Sequence, residues 1–200
     1  HTPTRRQRQM CIRDRAYDNT VLRFHANKGF SIRQWHRAVE LLRENSLRVK
    51  TYLLFKPPFM SEGDALEHTS RWVREVSKIS DEVSINPMNI QKGTIVDRLF
   101  RNREYRPPWL WSLVEMIFRT HADISNTDCR VIVHPTAGGK TRGSHNCGSC
   151  DSEVVAAIER YSVSGDLREF TGLECDCKKA WHSEIQSDAT LPVPMGAGVH

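Results

Sequence analysis

Two close cysteine pairs, Cys147-x-x-Cys150 and Cys175-x-Cys177, constrain the fold of this chain more than any other feature. Each pair can point two sulfurs from one turn, and the fold must then bring both turns together across a helix-sized insert. Thiolates arranged in this way make a tetrahedral metal site, and structural zinc or an iron–sulfur cluster both suit the donor set. His145 and His182 are close enough in sequence to replace one sulfur. Cys129 falls on an expected strand and reads as a core thiol. The chain is expected to be cytoplasmic, where cysteines favour metal binding over disulfides.

Upstream of the cysteines, helix and strand alternate. Ser31-x-x-Gln34 is a capping box, followed by Ile32, Trp35, Ala38, Val39 and Leu42 on one helical face. Residues 49–55 read as a buried strand that stops at Pro57-Pro58, because proline cannot continue a ladder. Ser61-x-x-Asp64 opens a second helix, and a short strand over 82–86 ends at Pro87. Helices are expected over 94–102 and from Pro107-Pro108 to about residue 122. A strand over 128–133, a polar loop over 136–149 and a helix over 151–161 follow. This alternation with short links predicts an α/β fold with a parallel sheet or barrel. The composition shifts after Asp123, so a boundary is placed near residue 122, with a cysteine-bearing subdomain over 123–186. Residues 187–200, with Pro192, Pro194, Gly196 and Gly198, have little to bury and read as a disordered tail.

The formal net charge of +5 misleads. Residues 1–15 can be back-translated in frame into a transposase-type sequencing-library adapter, and they are set aside as not native. They contain five arginines and one aspartate, which leaves 24 Lys+Arg against 23 Asp+Glu. A balance of +1 gives no global argument for nucleic-acid binding. Ala16 is then expected to be an interior residue of a longer chain. No apolar run approaches the roughly 20 residues that a membrane helix needs, so no membrane association is expected.

Three loops carry polar chemistry. His134-Pro-Thr-Ala-Gly-Gly-Lys-Thr141 follows a strand, but His134 stands where a phosphate-binding P-loop needs glycine, and no capped helix starts at once. Lys140 and Arg142 in this loop are the candidates to hold a phosphate or a carboxylate. Lys56, Pro57, Pro58, Asn86, Pro87 and Asn89 lie just past two strands, where parallel α/β folds place ligands. Trp109 and Trp111 beside Arg106 could stack a nucleobase, or serve as core and rim of a helix.

Taken together, Asn27-Lys-Gly-Phe30, Lys50-Thr-Tyr-Leu-Leu-Phe-Lys-Pro-Pro58, Ser84-Ile-Asn-Pro87 and Tyr105-Arg-Pro-Pro-Trp-Leu-Trp111 resemble the second half of a radical SAM enzyme. Adding His134–Lys140, Gly143–Asp151 and Cys175–Lys178 narrows the resemblance to the archaeosine-biosynthesis radical SAM family, over about residues 16–182. The resemblance implies the second half of a partial (β/α) TIM-type barrel over 16–122. In the full-length protein it implies a [4Fe-4S] cluster and S-adenosylmethionine. By position, Lys56, Pro57 and Pro58 match the region of the fifth strand that flanks this cofactor, and Asn86, Pro87 and Asn89 match the sixth. The implied reaction converts a lysine-bearing 7-deazaguanine in the D-loop of tRNA to archaeosine by radical fragmentation. The implied partners are tRNA and the archaeosine synthase that attaches the lysine. The Cys-x-x-x-Cys-x-x-Cys loop of such enzymes is absent from this sequence, so the chain by itself is expected to be inactive. Cys147, Cys150, Cys175 and Cys177 are expected to form an accessory site holding zinc or a second cluster. The alternatives are a noncatalytic zinc-containing RNA-binding module and, on the glycine-rich loop, a P-loop NTPase.

Overall fold

The computed structural model describes residues 9–190. Four strands, β1 (Gln9–Arg15), β2 (Arg48–Phe55), β3 (Glu82–Pro87) and β4 (Arg130–Val133), form one sheet in the order 1-2-3-4. Every pairing is parallel, with Lys50 opposite Glu82 and Val83 opposite Val131. The helices α1 (Ile32–Glu44), α2 (Glu62–Ser77), α3 (Ile95–Arg101) and α4 (Leu110–Ser125) fill the connections, and α5 (Asp151–Ser164) and α6 (Cys177–Thr190) follow the last strand. The α/β class and the parallel sheet are those expected.

Local chemistry accounts for the helix starts. The Ser31 hydroxyl accepts from the Gln34 N–H while the Gln34 side chain accepts from the Ser31 N–H, which completes the capping box. Ser61 and Thr94 cap α2 and α3 from one side only, accepting from the Asp64 and Asp97 N–H groups. Helix α4 has no side-chain cap of its own at Trp109 and begins two residues after Pro107-Pro108. Its first free N–H groups are met from elsewhere in the chain. Trp109 N–H donates to Glu62 Oε1 at 2.9 Å, and Trp111 N–H donates to Asn146 Oδ1 at 3.2 Å.

One hydrophobic cluster runs from Ala16 to Trp181 and includes Trp35, Phe55, Trp72, Ile85, Leu113 and Ile158. The composition shift near residue 122 therefore falls inside α4, and β4 continues the same sheet on its far side. Both faces of the inner strands are covered, as parallel sheets require. Two segments set apart in the sequence carry regular structure. Gln9–Arg15, part of the segment read as not native, occupies the edge beside β2, with its register broken between Ile12 and Arg15. Parallel pairing is made by main-chain groups, so an extended segment without proline can take an edge whatever its side chains. Helix α6 continues to Thr190, past the point where a tail was expected to start, and residues 191–200 lie outside the described residues.

Candidate metal centre and ligand cavity

The fold brings the two cysteine pairs together. The four sulfurs of Cys147, Cys150, Cys175 and Cys177 all lie within 4.8 Å of one another. Cys147 Sγ is 4.0 Å from Cys150 Sγ and 3.6 Å from Cys175 Sγ, and Cys150 Sγ is 3.6 Å from Cys177 Sγ. A tetrahedral ion with bonds of about 2.3 Å sets its sulfurs about 3.8 Å apart, so this spacing fits one ion. A four-iron cube puts each thiolate on its own iron and spreads the sulfurs further than that. His145 and His182 do not join the set. His145 Nδ1 is tied to the Gly143 carbonyl at 2.8 Å, and the His182 ring stacks on Trp181.

Local structure holds this knuckle in shape. Gly148, between the first pair, has φ +95, where a side chain would be strained. Cys150 sits at the start of α5 and Cys177 is the first residue of α6, so two helix N-termini face the sulfurs. Asn146 Nδ2 donates to Cys150 Sγ at 3.4 Å, and Trp111 Nε1 donates to Cys177 Sγ at 3.2 Å. Four thiolates around a divalent ion would carry net charge −2, and these donors and dipoles are what such a charge needs nearby. The N–H groups of Ser149 and Cys150 pull the Cys147 thiol down to about 6, while burial pushes Cys150 and Cys177 up. Cys129 is separate, and burial lifts its thiol to about 12, so it is an inert core residue.

The loop over 134–145 connects this centre to the sheet, and its geometry excludes a phosphate cradle. The N–H groups of Gly138, Gly139, Lys140 and Gly143 already donate to carbonyls of the same loop, at 2.7, 2.8, 3.1 and 2.9 Å. A Cβ on Gly143 would run into the Ala137 carbonyl, so glycine is there for close packing. Arg142 is a structural pin. Its Nη2 meets Asp97 Oδ1 at 2.6 Å, its Nε donates to the Ile90 carbonyl, and Ile90 N–H returns a bond to the Arg142 carbonyl. Lys140 is exposed with no side-chain partner among the described residues. Of the two cations named for this loop, only Lys140 has a free charge.

Asp97 makes the pin testable by pH. The Arg142 guanidinium and the Gly93 N–H hold its carboxyl at about 2, below the ordinary aspartate value of 3.8. A depressed carboxylate contributes stability above its unfolded value, and that stability is lost as pH falls from about 4 through about 2. Carbon-detected NMR should place the Asp97 midpoint at about 2, and Arg142→Gln should move it toward 3.8. A midpoint unchanged by Arg142→Gln would contradict the pin.

A cavity of about 660 Å³ opens at the carboxyl ends of β2 and β3. Pro58, Asn86, Pro87 and Asn89 line it, together with His25, Lys28, Gln91 and Thr136. Lys56 and Pro57 do not. Lys56 is 4% exposed, and its Nζ meets Glu62 Oε2 at 2.6 Å with Glu184 Oε1 at 3.9 Å. It borders a second cleft of about 530 Å³ instead. Tyr105 donates to the Lys56 carbonyl at 2.7 Å, and burial pushes its phenol well up. Arg106 lies 3.8 Å over the Trp109 ring and donates to the His145 carbonyl, so both aromatics of that motif are built into the structure rather than left to stack a base.

No family model matches the chain. Archaeosine synthase subunit beta of Methanosarcina acetivorans is 34% identical over 176 residues, covering 88% of this chain and 50% of that protein. The Thermococcus kodakarensis protein of the same name is 36% identical over 162 residues, covering 80% of this chain and 49% of that protein. The chain is a homologue of archaeosine synthase subunit beta. It spans about half the length of these relatives. Among solved structures, Elp3 of Methanocaldococcus infernus, lacking its N-terminus, matches with TM-score 0.61 at 18% identity, over 84% of this chain and 37% of that one. At that identity the likeness speaks for the fold.

The likeness to archaeosine synthase subunit beta runs over most of the chain, so the cysteine motif alone does not carry it. Several residues of this homologue came with no signal in the sequence. Glu62 and Asn146 cap α4 from a distance, and His25 enters the cavity wall from a π-helical turn over Val21–His25. Glu62 opens a helix, where an acidic residue is ordinary, so only the fold shows that it is 1% exposed and paired with Lys56.

Proposed function

We propose that this chain is the second half of a radical SAM enzyme of tRNA modification, which converts a lysine-bearing 7-deazaguanine in the tRNA D-loop to archaeosine. Its similarity to archaeosine synthase subunit beta over most of its length carries the reading. The cavity at the carboxyl ends of β2 and β3 supports it. About 660 Å³ is ample for a nucleoside-sized ligand, and the position is where parallel α/β folds bind one. S-adenosylmethionine bound there would supply the fragmentation chemistry, held through the Asn86 and Asn89 amides and the backbone beside Pro58 and Pro87. Lys140 offers a free cation on the loop above the sheet for a tRNA phosphate.

The cysteines of this chain do not fit the cluster that starts such a reaction. The sequence has no Cys-x-x-x-Cys-x-x-Cys, and the four clustered sulfurs are spaced for one ion. On this reading Cys147, Cys150, Cys175 and Cys177 hold a structural zinc, which fastens the loop over 134–145 and α6 against the barrel. The archaeosine synthase that attaches lysine is the partner acting before it, and tRNA is the macromolecular substrate.

The test is a reaction of the full-length protein, reductant and S-adenosylmethionine with tRNA carrying the lysine adduct, followed by mass spectrometry of the nucleosides. Archaeosine should appear with release of 5′-deoxyadenosine and should require the cofactor. Tight tRNA binding with no turnover and no cofactor binding would favour the noncatalytic zinc-bearing module instead.

A further inference from the structure

We propose that His25 is a recognition residue of the cavity at the carboxyl ends of β2 and β3. Its Nε2 accepts a hydrogen bond from the exocyclic amino group of an aminopurine or 7-deazapurine base. The inference rests on the reading of that cavity as a nucleoside site and adds the residue and atom that recognise the base.

The backbone aims this side chain. Val21–His25 is a π-helical turn closed by the Ala26 N–H on the Val21 carbonyl at 2.9 Å, and such turns are rare and gather at functional sites. His25 is its last residue and stands half-buried in the cavity wall. Its Nδ1 is 2.8 Å from the Pro58 carbonyl, which can only accept. Nδ1 therefore carries the hydrogen, and in the neutral ring Nε2 is then the bare acceptor. Nε2 has no partner among the described residues.

The loop that fixes the tautomer is itself strained and tightly held. Lys56 and Phe59, at its two ends, have φ +53 and +65, a region that bulky residues rarely occupy. The Lys56–Glu62 pair and the Tyr105 hydroxyl lock one end. At the other end Phe59 stays 60% exposed, with its ring edge-to-face to His25 at 6.3 Å. No carboxylate lines the cavity among the described residues, so His25 Nε2 faces no competing anion as the acceptor for a ligand amino group.

Adenine of S-adenosylmethionine and a 7-deazaguanine base both carry such an amino group, so the test uses both. S-adenosylmethionine and 7-deazaguanosine are titrated separately into the full-length protein and its His25→Phe and His25→Gln variants, by calorimetry and by ¹⁵N NMR of the histidine ring. His25→Phe should weaken one probe roughly 10-fold. His25→Gln, whose side-chain oxygen reaches the same place, should retain most of the affinity. In the wild type that probe should shift the His25 Nε2 resonance, and this decides the matter alone if the phenylalanine variant does not fold. Which probe responds tells cofactor from substrate. Unchanged affinity of His25→Phe for both probes, or an Nε2 signal that neither probe moves, overturns the role of His25 and leaves the cavity reading intact. Failure of the wild type to bind either probe overturns the cavity reading, and the inference with it.

Discussion

Replacing Cys177 by serine should release the metal and loosen the whole C-terminal third of the chain. The reason lies in what the residue joins. Cys177 is the first residue of α6, accepts from Trp111 Nε1 on α4, and completes a set whose other members sit before α5 and α6. Helix α6 is held otherwise by contacts such as Trp181 Nε1 to Ser112 Oγ at 2.8 Å and Glu184 to Trp109 Nε1 at 2.7 Å. Structural zinc sites supply on the order of 10 kcal/mol to the folded state, and losing one thiolate forfeits a large part of it. If about 3 kcal/mol is lost, Tm falls by roughly 10 °C for a chain of this size. Cys129→Ser is the control, because that thiol is buried away from the set. It should cost little more than about 1 kcal/mol and leave metal content unchanged. Equal metal content in both variants would contradict the assignment.

Glu62→Ala should be nearly as damaging, though it touches no cysteine. Its two oxygens serve the Lys56 ammonium at 2.6 Å and the Trp109 N–H at 2.9 Å, with the residue 1% exposed. Removing it leaves a buried cation with one distant, part-exposed partner, Glu184 at 3.9 Å, and uncaps α4. Breaking a buried pair by removing one partner costs about 3–5 kcal/mol. The pair as a whole is worth less, because its own desolvation offsets much of the attraction. Lys56→Met combined with Glu62→Leu should therefore be milder than Glu62→Ala alone. Denaturant unfolding of the three proteins checks the order, and a double variant weaker than the single would contradict a buried ion pair.

Much of this architecture is legible in the sequence, and the reasons are local. Ser31-x-x-Gln34, Ser61-x-x-Asp64 and the prolines at 57, 58 and 87 act within a few residues of themselves, so they mark helix starts and strand ends correctly. The cysteine pairs are legible for the same reason, since each turn carries its own two sulfurs. What stays hidden depends on distance in sequence. Arg142 reads as a free cation beside glycines, yet Asp97, 45 residues earlier, occupies it. The glycines look like a phosphate loop, yet they serve tight packing and their N–H groups donate to other carbonyls of the same loop. Lys56 falls just past a strand, where ligands bind, yet a helix-opening glutamate turns it away from the cavity. His25 shows no motif because a π turn and a carbonyl on another loop give it its direction.

On the proposed reading the four cysteines form a single-ion anchor, distinct from the cluster that would begin the chemistry. Metal analysis with X-ray absorption on the anaerobically purified chain tests it most directly. One zinc per chain, with a single shell of sulfurs at about 2.3 Å, is the expected result. Iron in its place, accompanied by inorganic sulfide and a short iron–iron distance, would show that the sulfurs open up around a cluster and would contradict the claim.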